Sequence, residues 1–414
     1  MLKITCEGVY YKNGGFVPAK DGPAAGLPAP EKAREGTMAH AILKAHNTGD
    51  NMEELAIRFD AMASHDITYV GIIQTARASG MQAFPLPYVL TNCHNSLCAV
   101  GGTINEDDHV FGLSAAKKYG GEFVPAHQSV IHSYMRERYA APGRMILGSD
   151  SHTRYGAYGT MAIGEGGPEL ARQLLSKTYN IPYPKVIAIY LTGTPIPGVG
   201  PQDVALELIR STFKDGVVKN AVMEFFGPGV ANLSMDYRSG IDVMTTETTC
   251  LSSIWPADHT LKAHLAVLGR GEAFKPQAPA DGAYYDGLIE VELDKIRPMI
   301  ALPFHPSNAY TIQEFQENLD ELLHQVDEDT VRQLKLKNRP ASLREKIVDG
   351  KFRVDQGVIA GCSGGTYQNI VRAAQILDGR AIGSGEFWLS VYPTSQPVNL
   401  ELTRRGYIAS LMAA

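Results

Sequence analysis

Short apolar runs alternate along most of the chain with segments whose apolar residues recur every three or four positions. The runs at 69–74, 145–149, 186–192, 288–293 and 358–361 are bounded by polar or Gly-rich stretches, which predicts strands. In 311–326 the apolar positions Ile312, Phe315, Leu319, Leu322 and Val326 step by three and four, which predicts one amphipathic helix. Pro201-Gln-Asp-Val follows the Gly/Pro-rich turn Thr192-Gly-Thr-Pro-Ile-Pro-Gly-Val-Gly200 and reads as a helix start. Further helices are expected over 168–179, from Ile370 to Leu377, and over 399–414. Strands alternating with helices in this way predict an α/β fold of stacked units with mainly parallel sheets. Breaks in the pattern near 195 and 303 divide the chain into 1–195, 196–303 and 304–414, with surface loops at 19–30 and 274–282.

Composition narrows the function classes. The 414 residues are 44% hydrophobic and 20% charged, which excludes a disordered or collagen-like chain. A net charge of −6 without a basic stripe gives no electrostatic footprint for nucleic acid or an anionic membrane. No apolar run approaches the roughly 20 residues that span a bilayer, and Met1-Leu-Lys-Ile-Thr-Cys6 opens no signal-peptide core. A soluble, cytoplasmic protein is expected. Five cysteines (Cys6, Cys93, Cys98, Cys250, Cys362) with no C-x-x-C spacing do not make a disulfide scaffold or a zinc ribbon. Burial is the plain reading of Cys6 and Cys250.

Three segments carry candidate chemistry. Gly148-Ser-Asp-Ser-His-Thr153 follows an apolar strand, so Asp150, Ser151 and His152 fall where open α/β sheets place ligands. A turn capped by Ser or Asp is the structural alternative. Ala360-Gly-Cys-Ser-Gly-Gly365 puts Cys362 ahead of a helix, where the helix N-terminus is expected to lower the thiol pKa. Asn92-Cys-His-Asn-Ser-Leu-Cys98 is one ligand short of a closed tetrahedral zinc site. His132 lies on an amphipathic stretch, and Glu247 sits among small hydroxyls in Met244-Thr-Thr-Glu-Thr-Thr-Cys250.

In this order the segments resemble the aconitase superfamily of iron–sulfur hydro-lyases, closest to a bacterial group of aconitase-like hydratases. The likeness runs from about residue 60 onward. Ser149-Asp-Ser-His-Thr153 is its most specific motif, and Ala360-Gly-Cys-Ser-Gly-Gly365 matches the segment that supplies the first cluster cysteine. Tyr284-Tyr-Asp-Gly-Leu-Ile-Glu290, and Glu247 through Trp255-Pro256, fall at matching spacings. The resemblance implies a three-domain α/β/α assembly and a [4Fe–4S] cluster with Cys362 as one thiolate. It implies His94 as general acid at a departing hydroxyl, and Gln74, His132, Asp150, Ser151 and His152 around the iron-bound water and substrate. Glu247 would contact the hydroxyl, and Gly364 and Gly365 would help seat the substrate. The reaction implied is reversible dehydration and hydration of a hydroxy-polycarboxylate.

The chain departs from the family pattern in three ways. Cys93 stands where the family has an aspartate beside the acidic histidine, and Val243 where classical aconitases have an asparagine. The other two cluster cysteines belong to a Cys-Gly-Pro-Cys segment expected just beyond Ala414, together with the mobile fourth domain. The 414 residues are therefore expected to be part of a longer protein, or to work with a missing partner chain, and to be inactive alone. Two alternatives stand beside this reading. One is a cluster-free protein that binds an anionic metabolite. The other is a hydrolase with one metal at Asp150, His152 and His132.

Overall fold

The structure is a computed structural model that describes residues 2–94, 103–337, 341–383 and 385–414. Two five-stranded sheets form its centre. In the first, strands run in the order Glu122–Val124, Tyr88–Thr91, Ala61–His65, Met145–Gly148 and Met161–Gly164, all parallel. Their segments (Tyr-Val-Leu-Thr, Met-Ile-Leu-Gly) are almost uniformly buried, as expected for strands covered on both faces. In the second, the order is Leu2–Thr5, Gly287–Glu292, Val186–Thr192, Val222–Phe226 and Ser252–Ile254, parallel except for the N-terminal edge strand. The sheets meet edge to edge, where the Ser252 hydroxyl donates to the Ala162 carbonyl at 2.7 Å. This is the α/β fold with mainly parallel sheets that the pattern predicts.

The chain crosses the expected boundary at 195 within a single sheet. Val186–Thr192 pairs with Val222–Phe226 on one side and Gly287–Glu292 on the other. Leu2–Thr5, from the far end of the sequence, closes the edge against Gly287–Glu292. Two apolar cores fill both faces. Ala61, Ala63, Ile187 and Ile189 lie in one core, and Met62 and Ala188 in the other, the period of two expected along a strand. Residues after 303 build a smaller lobe around the parallel pair Gln356–Ile359 and Trp388–Val391.

Four expected elements differ. Residues 69–74 are not a strand but part of the helix Tyr69–Ala78. Its buried residues Tyr69, Ile72, Ile73 and Ala76 sit at i, i+3, i+4 and i+7, one face of a helix, and this period overrides the β-branched composition. The helix expected over 311–326 is two, Ile312–Glu317 and Leu319–Leu334, separated at Asn318 (φ −124°, ψ 26°). The first is held by a capping box in which Thr311 and Glu314 exchange side-chain-to-backbone bonds. The C-terminal helix likewise splits into Gln396–Arg404 and Tyr407–Ala413, because Gly406 takes a left-handed turn (φ 81°). The helix expected over 168–179 spans Gly167–Leu174, and Tyr179 begins a strand, Tyr179–Pro182. No helix among the described residues is long and apolar enough to cross a membrane.

Candidate active site

The carboxyl ends of the first sheet's strands carry the chemistry. His65 ends the strand Ala61–His65, and His94 follows Tyr88–Thr91. Asp150, Ser151 and His152 form the turn after Met145–Gly148. In that turn Asp150 Oδ1 accepts the His152 backbone N–H at 2.7 Å, and the Thr153 hydroxyl donates to the Asp150 carbonyl at 2.7 Å. An Asp that bonds the backbone two residues on is a self-locking Asx turn. Gly164 is required beside it, because a Cβ there would lie 2.3 Å from the Asp150 carbonyl oxygen. The helix Ile131–Arg138 delivers His132, and the short 3-10 turn Thr245–Thr248 delivers Glu247. The Thr246 hydroxyl donates to the Ser151 carbonyl at 2.5 Å and ties this turn to the first sheet's.

Four imidazoles converge on Asp150. His132 Nε2 lies 3.1 Å from Oδ1 and His152 Nδ1 3.6 Å from it, while His94 Nε2 and His65 Nε2 lie 3.5 and 3.6 Å from Oδ2. The His65 and His94 rings are 3.9 Å apart between centroids. His152 Nε2 also pairs with Glu247 Oε1 at 2.9 Å, and His305 Nε2 reaches Glu247 Oε2 at 3.6 Å from the third lobe. His305 is held there by stacking on Phe213, with centroids 4.0 Å apart.

Environment divides these groups. Burial pushes His65 and His132 down to about 4, reinforced at His65 by His94 and opposed at both by Asp150. His94 is raised to about 10 by Asp150 and the Cys93 sulfur 3.3 Å from its Nδ1, and His152 to about 9 by Asp150 and Glu247. Burial works to raise Asp150, but its bonds to His132, His152 and His94 hold it well below the usual carboxylate range. Glu247 is lowered by its bond to His152. At neutral pH two imidazolium ions therefore face two carboxylates beside two neutral imidazoles. The neutral His132 donates from Nε2 to Asp150 and accepts the Tyr155 hydroxyl at Nδ1 (3.2 Å). Separation of like groups into proton-bearing and proton-free sets is the arrangement acid–base catalysis needs.

The structure thus brings together His94, His132, Asp150, Ser151, His152 and Glu247. Gln74 is not among them: it is exposed on the helix Tyr69–Ala78, and His65, four residues before that helix, occupies the cluster instead. The metal triad Asp150, His132 and His152 does not converge on one point. Both His132 nitrogens are already engaged, and His152 Nε2 is turned to Glu247. Val243 is fully buried in the helix Met235–Met244. Sequence reasoning missed His65 and His305, and also Asp66, which accepts the His94 backbone N–H at 3.1 Å and meets His109 Nε2 at 3.3 Å.

Cys362 sits in the one-turn helix Gly361–Gly364 at the end of Gln356–Ile359. Its carbonyl faces Arg136 Nη1 at 3.4 Å. The expected lowering of its thiol pKa is reversed: burial pushes it up, and the guanidinium of Arg136 only partly opposes this. Gly365 is needed for packing, since a Cβ would lie 2.4 Å from the Tyr392 carbonyl oxygen, whereas the space beside Gly364 is open. Cys6 is exposed rather than buried as expected, Cys250 is buried with its thiol on the Thr245 carbonyl at 3.3 Å, and Cys98 lies outside the described residues. A [4Fe–4S] cluster left with one open iron takes three thiolates. The described residues bring Cys362 and Cys93 towards the site and no third thiol, so they do not complete that ligand set.

A mixed α/β protein with an acid–base centre at the carboxyl ends of parallel strands is the class that fold and site define. Within it, the chain belongs to the aconitase family: the family model (aconitate hydratase) matches residues 40–414. It is similar to the mitochondrial aconitate hydratase of Schizosaccharomyces pombe, 30% identical over 381 residues, covering 87% of this chain and 44% of that protein. Likeness to the probable mitochondrial aconitate hydratase of Dictyostelium discoideum is 28% over 402 residues, covering 91% and 48%. For the mitochondrial aconitate hydratase of Saccharomyces cerevisiae it is 27% over 404 residues, covering 91% and 48%. The chain spans about half the length of the curated relatives it matches.

Proposed function

We propose that this chain carries the acid–base half of a hydro-lyase that removes water from, and returns it to, a hydroxy-polycarboxylate. The observation that supports this most is the division of the histidines around Asp150 into protonated His94 and His152 and neutral His65 and His132. In this reading His94 gives its Nε2 proton to the departing hydroxyl as the C–O bond breaks to release water. The proton on the adjacent carbon goes to a base that is not among the residues assigned here, and the C–H electron pair becomes the new double bond. Asp150 keeps the imidazolium in place and compensates its charge. Glu247, held by His152, receives the substrate hydroxyl, and Ser151 with the Gly364–Gly365 turn contacts the carboxylates. The family's cluster would supply a Lewis acid at the hydroxyl. Because the described residues hold only part of its ligand set, no step here runs through it.

Calorimetric titration of the chain with tricarballylate, a hydroxyl-free tricarboxylate, tests the reading. A carboxylate 4 Å from an imidazolium at a partly buried site interacts by about 4 kcal/mol. Saturable one-to-one binding that weakens at least tenfold in both His94→Asn and His152→Asn is expected. Absence of binding in the unsubstituted chain, or affinity in both variants equal to that of the unsubstituted chain, overturns it.

A further inference from the structure

We propose that the cavity between the helices of the two five-stranded sheets and the smaller C-terminal lobe binds a small organic primary ammonium with an apolar body. The site shares no lining residue with the Asp150 cluster and does not rest on the hydro-lyase reading.

The cavity has a volume of about 520 Å³, within the range of small-molecule sites. The helices Ile131–Arg138, Met235–Met244 and His259–Val267 enclose it, together with the starts of Tyr367–Leu377 and Gln396–Arg404. Met235, Ala263, Val267, Leu268, Pro397 and Val398 make its walls apolar, and Val267, 85% exposed, carries that surface out to solvent. Its charges are unbalanced: Arg136, Glu137, Asp236 and Glu401 line it. Arg136 is turned to the Cys362 and Arg154 carbonyls at 3.4 and 3.3 Å, and Glu401 is taken by Arg405 at 2.6 Å. Glu137 Oε1 accepts the Ser395 hydroxyl at 3.0 Å, and Asp236 Oδ2 accepts the Gln368 backbone N–H at 3.0 Å. Among the described residues neither of these two carboxylates makes an ion pair, and Glu137 Oε2 and Asp236 Oδ1 have no partner. Burial raises the Glu137 carboxyl; Ser395 and the exposed Arg138 oppose this, and the nearby Asp236 carboxylate adds to it.

Two hydroxyls on the cavity wall are also unpaired. Ser239, 5% exposed, lies three residues after Asp236 on the same helix face, and its Oγ bonds no described residue. Thr366, 6% exposed, is the N-cap of Tyr367–Leu377, yet its Oγ1 has no hydrogen-bond partner. Asp236 takes the Gln368 N–H that a capping threonine would accept. Buried polar groups in native proteins are normally bonded, so unpaired acceptors around a cavity call for a donor-rich occupant. An alkylammonium has three N–H donors, no acceptor and a positive charge, which matches the carboxylates of Glu137 and Asp236 and the hydroxyl of Ser239. Its apolar body fits the walls, which a hydrated metal ion would leave unmatched.

The test is calorimetric titration of the chain with three indoles that share a body and differ in the head group: tryptamine (ammonium), tryptophol (hydroxyl) and indole-3-propionate (carboxylate). One tryptamine per chain is expected, with tryptophol and indole-3-propionate at least tenfold weaker. Glu137→Gln and Asp236→Asn can still accept from Ser395 and Gln368, and each should weaken tryptamine binding at least tenfold. Far-ultraviolet circular dichroism establishes that they are folded. Ala263→Phe fills the cavity from the helix His259–Val267, should abolish tryptamine binding, and decides the matter where a carboxylate variant does not fold. Saturating tricarballylate should leave tryptamine binding unchanged, which separates this site from the Asp150 cluster. No saturable tryptamine binding, equal or tighter binding of indole-3-propionate, or undiminished tryptamine affinity in the folded variants overturns the proposal. So does displacement of tryptamine by tricarballylate.

Discussion

Replacing Glu224 by glutamine is expected to remove a pH dependence from the stability of the second sheet. Glu224 lies in the strand Val222–Phe226 with no exposed surface. It accepts the backbone N–H groups of Met38 and Ala39 at 3.1 and 2.9 Å, which start the helix Met38–His46, and the Tyr285 hydroxyl at 2.7 Å. Three donors are not enough to offset full burial, which raises the carboxyl from 4.5 to about 7. The native chain therefore holds this proton more tightly than the unfolded one. The associated stability is complete below about pH 4.5 and is lost as pH rises through 7. At about 1.4 kcal/mol per pH unit this amounts to about 3 kcal/mol between pH 4 and pH 8. Glutamine keeps the shape but has one carbonyl oxygen: placed at the Oε2 position it still accepts the Ala39 N–H, and its amide can donate to the Tyr285 oxygen, while the Met38 N–H loses its acceptor at a cost that is the same at every pH. Urea unfolding followed by Trp255 emission checks the reasoning, because Trp255 is buried and stacked on Phe225 in this sheet. Every other titrating group is common to both proteins and cancels in their difference. The stability of E224Q relative to the parent should rise by up to about 3 kcal/mol from pH 5 to pH 8. A difference that does not change with pH refutes the argument.

Arg238, wholly buried, grips Asp258 at 2.9 and 2.6 Å and also donates to the Val230 and Leu233 carbonyls. Arg238→Met strands Asp258 and should cost about 2–4 kcal/mol, read as a lower Tm, and an unchanged Tm would count against it. Imidazole NMR signals of His65 and His132 should titrate near 4 and those of His94 and His152 near 10 and 9. Any of the four titrating near 6.5 contradicts the assigned environments. Gly164→Ala, whose Cβ meets the Asp150 carbonyl, should displace the turn and weaken tricarballylate binding at least tenfold while the chain stays folded. Binding equal to the parent's would show that the turn tolerates the shift.

The parts of the fold legible in the sequence are those where local period and burial agree. Val186–Thr192 and Met145–Gly148 read as strands because buried parallel strands are continuous apolar runs. The run at 69–74 has the same composition, and only the spacing of Tyr69, Ile72, Ile73 and Ala76 reveals a helix. At the site, the family resemblance pointed to Gln74, whereas His65, which ends the strand Ala61–His65, and Asp66, which follows it, repeat the strand-then-turn logic that made Asp150 and His152 visible. His305 could not be found this way, since its partners Phe213 and Glu247 are distant in sequence and nothing local marks it. Pairing of Leu2–Thr5 with Gly287–Glu292 was hidden for the same reason: strand order across a sheet leaves no trace in local spacing.

Why one aspartate can organise four histidines follows from the distances. A single carboxylate cannot bond four imidazoles, and among the side-chain contacts only that of His132 falls within ordinary hydrogen-bond range. The other three are set by different anchors: Glu247 for His152, Cys93 and Asp66 for His94, and strand burial for His65. Each anchor moves its imidazole in a definite direction, so the ring's charge is decided by its neighbour and Asp150 supplies the common counter-charge. That division of labour makes the cluster robust to the exchange of aspartate for Cys93 beside His94. The sulfur takes up Nδ1, the Asp66 carboxylate takes up the backbone N–H, and between them they do the orienting an adjacent carboxylate would otherwise do. His94 is thereby left with Nε2 towards Asp150 Oδ2 at 3.5 Å, so the carboxylate compensates the charge of the imidazolium at the nitrogen that faces inward.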